Sequence, residues 1–427
     1  MAKTKTLLLL NDCGFRFGAG IATLRQAQSL LHAGHRVALV CGEAMLPHHA
    51  LSEFPELTPW ADRFLGVFGL PMIEEGLPED ARIAAETEGA MRWAALRMRL
   101  RPDLIIAGTL HGARWPTHYL LEAADDPATR LLLYPHDLHL LTGRCAHPQS
   151  CGFYPDATCS SECPSAQDYP SLSPASRVPA VWAERQALAA RPEVLFGANS
   201  AWTADQIRLR FGAQVDEARI QDLRLGLDPL TMGPHLPEVA RNILGLPAPG
   251  TDSRPVILLP ATNFDSPFKG ASYRRDAVTS LLALPAKPRL LVVGQFGADT
   301  DWLTALADVV HKPALHPRMM ALAYSAADLV VLVSSAETFG QSAMEAAACA
   351  TPIAAFVAGG LGEICRPDHT ALCVPPGDLA GLCEAAQRLC EDPRLRHRLG
   401  RAGRALVDQE FSLEAQAARW SSVLSEV

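Results

Sequence analysis

The sequence predicts an α/β chain built from two parallel-sheet domains, and three observations carry that expectation. Apolar runs of strand length recur along the chain, most of them followed by a turn and a segment of helical periodicity. The alternation lapses once, where proline and glycine become dense between 223 and 255, and then resumes. At 427 residues the chain is too long for one ordinary core and comfortable for two.

Taken in order, Thr6 to Leu10 is a continuous apolar run, as a strand buried on both faces requires. It leads through NDCGFRFGAG into a helix expected from Ile21 to His32, which Gly34 stops, and HRVALVC is the next strand. Further strands are expected at Asp103 to Ala107, Arg130 to Tyr134 and Val194 to Ala198. A boundary belongs near Asp228. The first domain is therefore placed at 1–228, the second at 229–410, and a closing helix at 411–427. Strands of the second domain are expected at Val256 to Pro260, Arg289 to Val293, Leu329 to Val333 and Ile353 to Val357. In the closing segment, Leu413, Ala417, Trp420 and Leu424 fall at helical spacing, so this helix should bury one face, packing back toward the first domain. Two such sheets facing a central cleft would bind ligands at the carboxyl ends of their strands.

Composition narrows the function. The chain is 48% hydrophobic and 20% charged, and no apolar run approaches the roughly 20 residues that span a bilayer. The run after Lys3 and Lys5 is followed at once by Asn11 and Asp12 without a cleavage-site pattern, so the chain reads as cytoplasmic rather than exported. A formal net charge of −8 argues against nucleic acid as the main partner. Seven of the eleven cysteines are scattered singly in apolar or helical contexts, where a buried reduced thiol is the ordinary state.

The chemistry is expected where strands end. In SSAETFGQSAMEAAACATPIAAFVAGGLGE, residues 334–363, two carboxylates stand eight positions apart, Glu337 before a small-residue turn and Glu345 one turn into a helix. The first amides of that helix lack intrahelical partners and so form an anion site, with Gly340 allowing close approach. A pyrophosphate can rest on the amides of Phe339, Gly340, Gln341 and Ser342, and Glu345 can accept from the vicinal hydroxyls of a ribose. The same residues also fit a capping box, in which Glu345 merely returns to the Ser342 amide.

This run closely resembles the E-x7-E region of the family 4 glycosyltransferases, retaining enzymes of the GT-B fold that use nucleotide-sugar donors. LGLDPLTMGP resembles that family's domain junction, and CVPPGDLAGLCEAAQRLCEDPRLRHRLGRAGR the segment after its donor site. SPFKGASYRRD is similar to the Lys-Gly segment of the donor domain, GFRFGAGIATL to the N-terminal glycine loop, and YPHDLHLLTG to the His-Asp loop of an exopolysaccharide-type branch. The resemblance covers nearly the whole chain and is firmest from Leu329 to Pro376. It implies two Rossmann-like domains, a sugar contact at Glu337, sugar and diphosphate contacts at Phe339 and Gly340, a ribose contact at Glu345, and Lys269 against the donor phosphates. Gly18 and Gly20 would let the opposite domain approach. No metal is needed if the phosphate's counter-charge is a side chain. The family's usual Arg before this Lys is missing, since no Arg occurs between Pro255 and Gly270; Arg274, Arg275 or Lys269 alone would serve. Ala350 stands where the family has glycine.

His136 and Asp137 follow the strand at 130–134 and so belong near the acceptor, as sugar-contacting or catalytic groups or as loop residues that cap a turn. His111 follows 103–107 in the same way. Cys145, Cys151, Cys159 and Cys163 lie within nineteen positions of a proline- and serine-rich loop, at gaps of five, seven and three. They can hold a structural zinc, with His147 as a substitute ligand, or remain free thiols. The basic segment MRWAALRMRLRPD, with Arg92, Arg97, Arg99 and Arg101, fits either a peripheral membrane or lipid-linked acceptor contact or a solvated helix face. The partners expected are a nucleotide sugar and a saccharide or lipid-linked acceptor. A nucleotide-sugar epimerase or hydrolase, or a non-catalytic sugar-nucleotide-binding protein, would use the same architecture.

Overall fold

The computed structural model describes residues 3–425 apart from 16, 149–150, 152–153, 155–157, 165–169, 171–174 and 296–300. The chain divides into two units, Met1–Leu225 with Leu413–Val427, and Gly226–Ser412.

The first unit holds a seven-stranded sheet whose strands are β1 (Thr6–Asn11), β2 (Arg36–Gly42), β3 (Phe64–Leu70), β4 (Leu104–Thr109), β5 (Arg130–Leu133), β6 (Val194–Ala198) and β7 (Ile220–Asp222). Their order is β3-β2-β1-β4-β5-β6-β7, and every pair is parallel. Leu7, Leu8 and Leu9 are wholly buried, as is Val37 through Cys41, because helices cover both faces of the inner strands. The helix Gly18–His32 begins three residues before the expected Ile21. The helix Leu413–Leu424 belongs to this unit, with Trp420 fully buried and stacked on Tyr134 at 6.4 Å.

The second unit holds a six-stranded parallel sheet, β8 (Val256–Asn263), β9 (Arg289–Gln295), β10 (Val309–Lys312), β11 (Leu329–Leu332), β12 (Ile353–Phe356) and β13 (Ala371–Val374), in the order β10-β9-β8-β11-β12-β13. Two doubly wound parallel sheets are the fold class the sequence predicts. In each sheet the strand order reverses beside one strand, β1 in the first and β8 in the second, and the loops leaving the two neighbours at that point diverge to opposite faces. These are the places where a ligand can enter between strand ends.

One connection carries visible backbone strain. After the helix Gln341–Ala348, Ala350 adopts φ +56°, a left-handed conformation in which an L side chain crowds the following carbonyl. Its N–H still donates to Ala347 O at 2.9 Å, so the turn is made despite the strain. Ala350→Gly is expected to stabilise the second unit by about 0.5–1 kcal/mol, raising its thermal midpoint by about 1–4 °C. A thermal melt with an unchanged or lower midpoint would contradict this account of the turn.

Candidate active site

In the second unit, three loops at the carboxyl ends of β8, β11 and β12 are laced together by backbone contacts. Ser335 N donates to Phe268 O at 3.0 Å, joining the first two, and Gly360 N donates to Glu337 O at 2.8 Å, joining the last two. Gly270 sits at φ +93°, and a Cβ there would fall 2.6 Å from Val333 Cγ2 and 2.9 Å from Val333 O, so only glycine lets the first loop press on the end of β11. This closeness brings the two expected donor-site residues into contact. Lys269 Nζ donates to Glu337 Oε1 at 2.6 Å, with the side chains 28% and 16% exposed. The pair is therefore accessible and mutually held.

The helix that follows begins at Gln341, with Gly340 before it at φ +98°. A Cβ on Gly340 would lie 2.3 Å from Leu361 Cδ1, so glycine is needed for space as well as for conformation. Gly340 has no side chain to cap the helix, which leaves its positive N-terminal end for an anion. Ser342 stands in its first turn. The Phe339 ring is 2% exposed and packs edge-on against Phe411 at 5.6 Å. The aromatic side chain anchors the turn, and a ligand would have to meet it through the backbone. Glu345 is buried, and its Oε2 accepts from Tyr324 Oη at 2.9 Å. Burial, and next the Glu345 carboxylate, push the Tyr324 phenol well up, so it remains a donor. Nothing in the sequence of its helix marks Tyr324 as a functional residue. Of the two arginines offered as replacements for the missing one, Arg275 lies over the Trp302 ring at 4.9 Å, and the side chain of Arg274 is outside the described residues.

In the first unit, the loops after β1 and β4 are stitched at the sheet's reversal point. Thr109 Oγ1 donates to Asn11 Oδ1 at 2.6 Å, and Ala113 N donates to Asp12 Oδ2 at 2.9 Å. Gly18 opens the first helix, whose start has no side-chain cap. Gly20 is a matter of space: a Cβ there would fall 2.3 Å from Gly14 O and 2.5 Å from Phe15 Cα. Thr23 on the same helix reaches His136 Nε2 at 3.3 Å. Burial pushes the His136 imidazole down to about 4, so the ring is neutral at pH 7 and can act only through hydrogen bonds or as a weak base. Asp137 does cap a turn, accepting from His139 N at 2.8 Å, and its other oxygen meets His111 Nε2 at 2.8 Å. Burial opposes the ionised Asp137, but His111 prevails and holds the carboxyl well below its usual range. His111 is raised in turn, because Asp137 outweighs the burial that would lower it.

The four loop cysteines line one small cavity of about 20 Å³ together with Tyr154 and Arg210. None of them is in a disulfide. Among the described residues no group of three or more His, Cys, Asp or Glu is placed to hold a metal, so the zinc reading of Cys145, Cys151, Cys159 and Cys163 finds no support there. Cys145 is buried, and Cys159 Sγ accepts from Gly143 N at 3.2 Å and from Arg210 Nη2 at 3.6 Å. In the basic segment, Arg92 pairs with Glu43 and Glu88, Arg97 stacks on Trp93 and Arg99 on Phe68. Three of its four arginines are thus engaged within the chain. No helix among the described residues is long and apolar enough to cross a membrane.

The histidine cluster makes the first unit sensitive to acid. His136 and His139 are both lowered in the fold, so between pH 6.5 and about 4 the unfolded chain binds more protons, and stability falls as pH falls through that window. Asp137 extends the loss below about pH 4, while His111, being raised, works in the opposite direction. Thermal melts from pH 7 to 4 should show the first unit's midpoint dropping, and His136→Gln should flatten the slope. Equal slopes in the two proteins would refute the assignment.

Residues 254–392 match the family model described as Glycosyl transferases group 1. The chain is 35% identical over 212 residues to D-inositol 3-phosphate glycosyltransferase 1 of Catenulispora acidiphila, a match covering 46% of this chain and 49% of that one. The chain thus spans about half the length of this relative. Sucrose-phosphate synthase from Thermosynechococcus elongatus has a similar structure, with a TM-score of 0.72 at 20% identity over 99% of this chain and 98% of that one. HepE of Anabaena, solved in complex with UDP-glucose, has a TM-score of 0.70 at 17% identity over 99% of this chain and all of that one, 100%. At these identities the structural likeness speaks for fold alone. The chain has the GT-B fold, and its residues 254–392 are similar to the glycosyl transferases group 1.

Proposed function

We propose that the chain is a retaining glycosyltransferase, moving a sugar from a nucleoside diphosphate sugar to a hydroxyl of a glycan, lipid-linked saccharide or small molecule. The observation that carries this reading is the 2.6 Å contact of Lys269 with Glu337, made between the ends of β8 and β11 where the strand order reverses. Both residues lie inside the matched segment 254–392. HepE was solved with UDP-glucose bound, which makes that nucleotide sugar a first donor to try.

In this reading the bond from the sugar's anomeric carbon to the β-phosphate oxygen breaks, and its electron pair stays on that oxygen. Lys269 and the dipole of the helix starting at Gln341 stabilise the resulting charge. Glu337 accepts from a hydroxyl of the donor sugar and, in the same place, keeps the Lys269 ammonium aimed. Glu345 accepts from the ribose, its orientation fixed by Tyr324. The acceptor oxygen attacks the anomeric carbon on the face the phosphate leaves, and its proton passes to the departing phosphate oxygen. His136 and Asp137 belong to the acceptor side.

Lys269→Ala and Glu337→Gln are each expected to lower transfer by about 100-fold or more, the scale of losing one charge-stabilising group. Melting temperatures should move by no more than about 4 °C, because a part-exposed ion pair is worth at most about 1 kcal/mol. A thermal-shift screen over UDP-, GDP- and ADP-sugars identifies the donor. Product analysis with and without acceptor then separates transfer from epimerisation or hydrolysis. Near-normal turnover by either variant would move the donor site elsewhere.

A further inference from the structure

The first unit contains a cavity of about 360 Å³, large enough for a small-molecule ligand, that the donor-site reading does not use. Its wall is rich in charge. On it, Glu75 is paired with Arg114 at 2.6 Å, and Glu86 with Arg82 at 2.6 Å and Arg177 at 3.4 Å. Each of those three arginines is paired with one of the protein's own carboxylates, Glu86 being shared by two.

Arg185, which also lines the cavity, differs from them. It is 1% exposed, yet its Nε and Nη1 have no hydrogen-bond partner among the described residues. No carboxylate among them lies within ion-pair distance of it. Its one hydrogen bond is long, from Nη2 to His139 Nδ1 at 3.5 Å. His139 cannot supply a negative charge, being itself lowered by burial and then by the neighbouring cations His111 and Arg185. A guanidinium stays protonated even when buried, and although Glu184 and Asp137 act on Arg185 through space, neither hydrogen-bonds it among the described residues, so its fork of donors matches a planar or tetrahedral oxyanion. Leaving a buried guanidinium short of hydrogen-bond partners is costly. Arg185 also touches a chain of side chains that ends at a residue already placed on the acceptor side. His139 packs on His111 at 4.8 Å, and His111 binds Asp137 at 2.8 Å.

We propose that this cavity binds a small molecule through a carboxylate or phosphate group seated on Arg185, and that this molecule is the acceptor of the transfer. The binding part stands on the cavity alone, and the word acceptor rests on the proposed function. Arg185 is then a specificity-determining residue, with His139 and His111 relaying the occupancy of the cavity to Asp137.

The test uses the full chain at low ionic strength and calorimetric titration with four probes: inorganic phosphate, glucose 6-phosphate, glucuronate and, as the neutral control, glucose. At least one anionic sugar should bind while glucose does not; binding of glucose 6-phosphate names a phosphate ligand, and binding of glucuronate a carboxylate ligand. Arg185→Leu should weaken that binding tenfold or more, and Arg185→Lys, which keeps the charge but not the fork, should fall between. UDP affinity should be the same in all three proteins, and Lys269→Ala should leave anion binding intact. If Arg185→Leu does not fold, the Arg185→Lys titration decides alone, with unchanged affinity counting against the proposal. It is overturned if no anion binds, if glucose binds equally well, if the Arg185 variants bind as the parent does, or if Lys269→Ala abolishes anion binding. Loss of donor binding or of transfer in the parent protein would instead sink the transferase reading and leave the anion site standing.

Discussion

Parallel pairing of β8 with β11 is the constraint on which the candidate donor site depends. Leu329 pairs with Ile257 and Val330 with Leu258, so the two strands run the same way and their carboxyl ends emerge side by side. Lys269 and Glu337 are 68 positions apart in the chain and have no local reason to meet. They meet because the two strands pair in parallel with every side chain of Leu329–Leu332 buried, which brings both strand ends out on the same edge of the sheet. Hydrophobic burial thus sets the geometry of a polar contact.

The first unit repeats the device with different chemistry. Its reversal lies between β1 and β4, and there the buried Asn11 and Asp12 spend their oxygens on the Thr109 hydroxyl and the Ala113 amide. Polar groups so buried are tolerated only when they are satisfied. The consequence is a rigid floor beneath the β5 loop, where one aspartate both caps a turn and binds a histidine. Asp137 cannot be displaced without freeing two partners, which makes it a positional element whatever else it does.

Much of this was legible in the sequence, and the omissions have a common cause. Nine strands stand close to where apolar runs place them, and the four that no run announces, β3, β7, β10 and β13, are the edges of the two sheets. An edge strand is covered less completely, so Phe64–Leu70 and Val309–Lys312 are only half-buried almost throughout and carry glycine or polar residues where an inner strand would be aliphatic. The candidate site divides in the same way. Glu337 and Gly340 stood out because turn chemistry and charge are local signals, and Lys269 through the family resemblance. Tyr324, Arg185 and His139 were not, since their meaning lies in contacts with residues remote in sequence. Phe339 was readable as a position but not as a side chain: its neighbour in space, Phe411, is 72 residues away.

That aromatic pair has a further consequence. Phe411 is the penultimate residue of the second unit, and its carbonyl accepts from Leu227 N at 2.9 Å, near the unit's beginning. The turn that shapes the helix's anion-facing end is therefore propped from behind by the place where the chain enters and leaves this unit. A fragment ending before Phe411 would retain all six strands and yet lose the buttress of its glycine turn, so integrity of the sheet and competence of the turn are separable properties of the same domain.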